Sequence, residues 1–247
     1  MIVLGALGLF LFAYINNSVS ARIVTVPSAG PDIVYTQTAA PAFTPTSAPT
    51  PIPVYANILI DPGHGGDDYG AEVESLNINE KTINMAIAAR LYDLLRQDVE
   101  KVHVDMTRYN ETTVSRPERV NMANASYDFL ISIHCNTSDY TPANGVSTYY
   151  QTHVGIDKPF TSEELAEVIQ LSAVEATGAH DRGIKHDKEL YLLNHTLIPT
   201  VLIEVGYLTN PAELNRLLDD SYIDLLAEGL RQGILEMADR VIASRNN

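Results

Sequence analysis

Residues 57–107 decide the fold: NILIDPGHGG at 57–66, EKTINMAIAARLYDLLRQ at 80–97 and KVHVDMT at 101–107. The first is an apolar run that stops at Asp61-Pro62-Gly63. The second sets Ile83, Ala86, Ile87, the stem of Arg90, Leu91, Leu94 and Leu95 on one helical stripe. The third alternates apolar and polar residues, the period of a strand. Further along, Ser115 caps a helix with Pro117 in its first turn. YDFLISI (127–133) and GVSTYYQT (145–152) read as strands, and Thr161-Ser162-Glu163-Glu164 opens a helix over 161–176. LYLL (190–193) and PTVLIEV (199–205) also read as strands. Asn210-Pro211-Ala212-Glu213 starts another helix, and a long amphipathic helix follows at 221–243. Strands alternating with helices of this length predict one α/β domain: a mostly parallel twisted sheet with helices on both faces.

Composition bounds the rest. A chain of 247 residues, 45% hydrophobic and 19% charged, has room for one sizeable core. Before Asn57 the only charges are Arg22 and Asp32, so the net charge of −15 belongs to the domain that follows. An acidic domain without a basic stripe argues against nucleic acid as partner. The single cysteine, Cys135, excludes an intramolecular disulfide.

The N-terminal part has a different character. Residues 1–15, MIVLGALGLFLFAYI, are apolar, and Ser18 and Ser20 precede Ala21. At about 1.5 Å per residue such a run falls short of the roughly 30 Å hydrocarbon core unless its polar neighbours help. Residues 1–24 are therefore read as a signal peptide or a membrane anchor. Residues 25–55 are rich in Pro, Thr and Ala and nearly free of charge, which predicts a disordered linker. Residues 56–247 form the domain. This organisation implies an extracytoplasmic protein, either secreted or held on the outer face of the membrane by an uncleaved N-terminus.

In parallel α/β sheets functional groups gather at the carboxyl ends of strands. Three such ends carry metal-capable side chains: Asp61-Pro62-Gly63-His64-Gly65-Gly66, His134-Cys135-Asn136 and Glu204-Val205-Gly206. Glu80 heads the first long helix, just after the first of these loops. Two imidazoles and a carboxylate make a first shell for catalytic zinc, and a further glutamate nearby would be the general base. Taken singly, His64 is also a turn residue, Glu80 a charge favoured by the helix dipole, and His134 a polar strand end. Glu204 stands apart, because a carboxylate inside the apolar run VLIEV needs a reason to be there.

The combination resembles the zinc-dependent N-acetylmuramoyl-L-alanine amidases of the amidase-3 family. ILIDPGHGGDDYGA, Glu80, FLISIHCN, ANGVSTYY, RGIK with LYLLNHTLIP, and PTVLIEVGYLTN carry the likeness, which spans residues 57 to about 240. It implies one zinc per chain on His64, Glu80 and His134, acid/base work by Glu204, and peptidoglycan as substrate. The expected reaction is hydrolysis of the amide between the lactyl group of N-acetylmuramic acid and L-alanine, and the chain is read as a monomer. Tyr207 stands where the family usually has Phe. Thr137–Asn144 is too short for the extra helix that covers the zinc in some relatives. Cys135 is expected in the core, and Arg108 and Arg116 in structural pairing. His186 is a minor candidate for the cleft wall. His103, His153, His180 and His195 match no ligand position.

Competing readings are another zinc amide hydrolase of the wall, a peptidase or deacetylase, and a non-catalytic wall-binding module. A serine hydrolase is disfavoured because Gly-x-Ser-x-Gly is missing, and a P-loop enzyme because Gly-x₄-Gly-Lys-Ser/Thr is missing.

Overall fold

The computed structural model describes residues 54–152 and 157–246. The apolar segment 1–24 and nearly all of the linker 25–55 lie outside the described residues, as does His153. Among the described residues no helix is long and apolar enough to cross a membrane.

The chain runs β1 (Ala56–Pro62), the short pair β2 (Glu72–Val73) and β3 (Ile78–Asn79), α1 (Glu80–Leu95) and β4 (Val102–Met106). It continues with α2 (Arg116–Ser126), β5 (Phe129–Asn136), β6 (Val146–Tyr150), α3 (Ser162–Thr177) and β7 (Asp181–His186). It ends with α4 (Tyr191–His195), β8 (Thr200–Tyr207), α5 (Pro211–Leu217) and α6 (Asp220–Arg245). The six-stranded sheet has the order β4-β1-β5-β8-β6-β7. The first four strands are mutually parallel, β6 runs antiparallel to β8, and β7 is parallel to β6.

Local signals explain most boundaries. Asn79 caps α1 by accepting from the Thr82 amide. Ser115 with Glu118, and Thr161 with Glu164, form capping boxes at α2 and α3. Gly178, at φ 64°, ends α3 in the left-handed conformation.

Alternation along the strands divides the side chains between two faces. Ile58, Ile60, Phe129, Ile131, Ile133, Val201, Ile203 and Val205 join the large core with α1, α3 and α6. Leu59 and Leu130 face the other way, into a smaller cluster with Val120, Ala123, Leu192 and Ile198 from α2, α4 and the approach to β8. Asp61, Ser132, His134, Leu202 and Glu204 fall on that second face by the same period. Cys135 is buried in the large core, as expected.

Two local readings change. The stretch LYLL lies at the start of a helix, α4, because the Asp187 carboxylate accepts from the Glu189 and Leu190 amides at 2.7 and 2.8 Å and turns the chain there. The buried stripe of α1 is Ile83, Asn84, Ile87, Ala88, Leu91 and Leu95, while Ala86 and Arg90 are exposed. The helix is rotated so that Glu80 and Asn84 reach beneath the strand ends, a polar demand that apolar periodicity does not report.

Helices α3 and α6 cross closely at Gly229. A Cβ there would stand 2.6 Å from both the Ser172 carbonyl oxygen and the Ala176 methyl. Gly229→Leu should therefore cost about 1–3 kcal/mol through overpacking, more than the helix propensity it gains. Urea unfolding would register this as a lower midpoint, and an unchanged midpoint would show that the helices separate freely.

Candidate active site

The site is built at the carboxyl ends of β1, β5 and β8. β1 ends in Asp61-Pro62, and the backbone then reverses through three successive residues of positive φ: His64 at 60°, Gly65 at 131° and Gly66 at 60°. The left-handed region is unfavourable for histidine, so surrounding contacts must hold His64 there. Two buried arginines supply them. Arg108 donates to the carbonyls of Pro62, Gly63 and Lys81, each at 3.0 Å. Arg119 donates to the Pro62 carbonyl at 2.9 Å and pairs with the Asp61 carboxylate. Asp61 also accepts from Thr107 Oγ1 at 2.6 Å and Ser132 Oγ at 2.7 Å, so both its oxygens are occupied.

That clamp aims His64 at Glu80. His64 Nε2 lies 3.1 Å from Glu80 Oε2, and His134 Nδ1 lies 2.9 Å from Glu80 Oε1. The two rings stand edge to face at 4.9 Å. Gly63 makes room, since a Cβ there would sit 2.3 Å from the His134 ring. Glu80 is buried, and its carboxylate also accepts from the amides of Ala71 at 3.0 Å and Cys135 at 3.1 Å and from Asn84 Nδ2 at 3.3 Å. Burial opposes its charge, but the hydrogen bonds and charges of His134 and His64 hold the carboxyl well below the usual carboxylate range. On the far side of His64, Nδ1 contacts Asp68 Oδ1 at 2.8 Å. Burial lowers the His64 pKa, yet Glu80 and Asp68 together raise it above the ordinary value.

His64, Glu80 and His134 each offer one donor atom, and these lie within 4.8 Å of one another. Two imidazole nitrogens and one carboxylate oxygen converging on a point are a donor set that suits zinc. The Asp68 contact fits as well: a carboxylate on the distal nitrogen orients a ligating imidazole. A zinc ion held there would require His64 neutral at its ligating nitrogen and Glu80 ionised.

Glu204 faces the triad from the neighbouring strand, in register with His134. Its Oε2 is shut off from solvent and has no hydrogen-bond partner among the described residues. Burial chiefly, with the charge of Glu80, pushes its pKa up to about 7 against the opposing pull of His134, His64 and Lys185.

A cleft of about 370 Å³ opens beside the triad between the start of α2 and the start of α4. His64 and His134 lie on its floor, with Ser115 and Arg116 on one side and Tyr191 and Leu192 on the other. The loop Thr137–Asn144 forms turns and carries no helix, as its length required.

The sequence brings together all four expected residues, His64, Glu80, His134 and Glu204. Arg108 has the expected structural pairing. Arg116 lines the cleft, and among the described residues makes no ion pair; its neighbour Arg119 makes the buried one. His186 is hydrogen-bonded to Gln151 at 2.6 Å, away from the cleft. Sequence reasoning passed over Asp61, Asp68, Asn84 and Arg119. Arg119 left a trace, being a charge beside Val120 and Ala123 on the buried side of α2.

A family profile described as N-acetylmuramoyl-L-alanine amidase matches residues 58–236. The chain belongs to this family. It is similar to the N-acetylmuramoyl-L-alanine amidase LytC of Bacillus subtilis, with 36% identity over 71% of this chain and 34% of LytC. This chain therefore spans about a third of that relative's length. The sporulation-specific N-acetylmuramoyl-L-alanine amidase of B. subtilis is 34% identical over 72% of this chain and 66% of its own. Among solved structures, an N-acetylmuramoyl-L-alanine amidase from Clostridium difficile 630 superposes with a TM-score of 0.70 at 35% identity. That match covers 75% of this chain and 97% of the other. The catalytic domain of CwlV from Bacillus (Paenibacillus) polymyxa gives 0.68 at 35% identity, over 74% and 98% of the two chains.

The clamp gives the family member a specific acid sensitivity. Burial alone would raise the Asp61 pKa, but Arg119, then hydrogen bonds from Thr107 and Ser132, and the His134 charge, hold it below 3.8. Its stabilisation is thus complete above the unfolded value near 3.8 and is lost as pH falls through the folded one. Asp61→Asn should cost roughly 3–5 kcal/mol at pH 7, since it leaves Arg119 buried without its counter-charge. Urea titrations should show the gap between wild type and variant narrowing below about pH 4. A gap independent of pH would remove the charge of Asp61 from the account.

Proposed function

We propose that this chain hydrolyses the amide between the lactyl group of N-acetylmuramic acid and L-alanine in peptidoglycan, using zinc held by His64, Glu80 and His134. The observation that carries the reading is the convergence of these three donors within 4.8 Å, with the partnerless carboxylate of Glu204 on the adjoining strand. Family membership supports the bond chosen, and the names of the relatives support the substrate. When bound, zinc supplies Lewis acidity toward the scissile carbonyl and the attacking water.

The chain's own residues do the rest. Asp68 orients the His64 ring, and the Arg108–Arg119 clamp fixes its backbone. Glu204 takes a proton from the attacking water and returns it to the leaving amine of alanine. Its raised pKa suits both halves of that exchange, because a group near neutrality accepts and donates with little penalty. The cleft beside His64 and His134 admits the muramoyl side of the bond. Residues 1–24 act as signal peptide or anchor and 25–55 as linker, so that the domain of residues 56–247 works outside the cytoplasm, as a monomer. Cell wall amidases among the relatives support this placement.

Two measurements test the reading. Purified protein should carry one zinc per chain, and His64→Ala and His134→Ala should each lose most of it; full occupancy in both variants would overturn the ligand set. Glu204→Gln should keep the metal while turnover falls about 10²–10⁴-fold. Mass spectrometry of digested peptidoglycan should find peptides with a free N-terminal alanine. Cleavage within the peptide, or release of acetate, would identify a peptidase or a deacetylase instead.

A further inference from the structure

Glu204 divides the site into two flanks. The cleft lies on the β5 side, over His64 and His134. On the other side the sheet continues through β6 to its edge at β7. On the reading above, Glu204 protonates the leaving amine, so the released peptide must lie on the Glu204 side. Its path crosses β6 and β7.

What lines that path is unusual in so acidic a domain. Ser147 stands directly opposite Glu204 across the antiparallel β6–β8 pair, and Tyr149 follows two residues later on the same face. Lys185 is in register with Tyr149 on β7. Its ammonium lies 5.1 Å from the Tyr149 ring centroid and 3.4 Å from the phenol oxygen. Lys185 is half-buried, and among the described residues no carboxylate pairs with it. Arg182, at the start of β7, stacks on the Tyr207 ring at 5.3 Å and donates to the Asn144 carbonyl at 3.2 Å, again with no carboxylate partner among the described residues. Beneath these cations the buried Ser147 hydroxyl has no hydrogen-bond partner, like Glu204 Oε2 beside it. These two oxygens are the buried side-chain atoms left unpaired among the described residues. Gly183, between the two cations, has open space where a Cβ would be.

We propose that Lys185, assisted by Arg182 and the Tyr149 ring, binds a carboxylate on the peptide side of the scissile amide. The proposal rests on the amidase reading and names the part of the substrate that this flank recognises. Spacing bounds how far along the peptide the carboxylate lies. β8 and β7 are two interstrand steps apart, about 10 Å, and Lys185 is in register with Tyr149, which pairs with Leu202 two residues before Glu204. An extended peptide covers roughly 3.3–3.6 Å per residue, so the carboxylate lies within about three residues of the scissile amide. Two cations without a carboxylate partner among the described residues, in a chain of net charge −15, match such an anion.

The test compares two muramoyl peptides that differ only in one side carboxylate among the first three residues, free in one and a carboxamide in the other, with each of those positions tried in turn. Wild-type full-length chain should prefer the carboxylate through a lower KM. In Lys185→Met that preference, as a ratio of kcat/KM values, should fall about tenfold, the usual scale for losing a charge-assisted hydrogen bond. Lys185→Arg should restore much of it, which separates charge recognition from a packing defect. A Lys185→Met enzyme with the wild-type ratio would overturn the subsite, as would a wild-type enzyme indifferent to the carboxylate. Cleavage of neither substrate by wild type would instead overturn the amidase reading.

Discussion

The pairing of Asp61 with Arg119 underlies the rest of the site. Both are buried, and two isolated charges at such depth would each be costly. Together, with hydrogen bonds from Thr107 and Ser132, they tie the end of β1 to β5, to α2 and to the strand-end residue after β4. Arg119 and Arg108 then share the Pro62 carbonyl, and Arg108 adds that of Gly63. The loop is thereby held through its sharp reversal with His64 at positive φ. None of these groups belongs to the metal donor set, yet they decide where one of its three donors points.

Sheet register does the same for the other members. β5 is flanked by β1 and β8, so His134 comes within reach of both the His64 loop and Glu204. Glu80 enters from outside the sheet at the head of α1, capped by Asn79 and saturated with donors. A buried carboxylate with that many hydrogen bonds is held below the usual range, whereas burial and the charge of Glu80 push Glu204, with its bare Oε2, up to about 7. Two glutamates, one heading α1 and one on β8, thus acquire opposite characters from their surroundings, the one suited to hold a cation and the other to exchange a proton.

Much of this was legible in the chain. The alternation of strands and helices gave a mostly parallel sheet, and the strand-end rule collected His64, His134 and Glu204 on one edge. Glu204 announced itself as a charge in an apolar run. What escaped has a common cause. Arg119 acts through a contact 58 positions away that no local period encodes, while Asp68 and Asn84 act four residues away, on His64 and Glu80, through polar contacts that apolar periodicity does not report. The α1 stripe was misread at Ala86 and Arg90 for the same reason, since Asn84 is buried for its hydrogen bonds and not for apolarity. LYLL failed as a strand because the Asp187 side chain starts a turn, a signal carried by one polar residue outside the apolar run.

A buried ion pair outside the donor set thus shapes the candidate metal centre. The most direct test of this is the zinc affinity of Arg119→Met, measured by competition with a chromogenic chelator at neutral pH while circular dichroism monitors the fold. Supporting groups around metal ligands typically contribute 10–100-fold in affinity, and a loss of that size in a folded variant is the predicted result. A folded Arg119→Met that binds zinc as tightly as wild type would contradict the account.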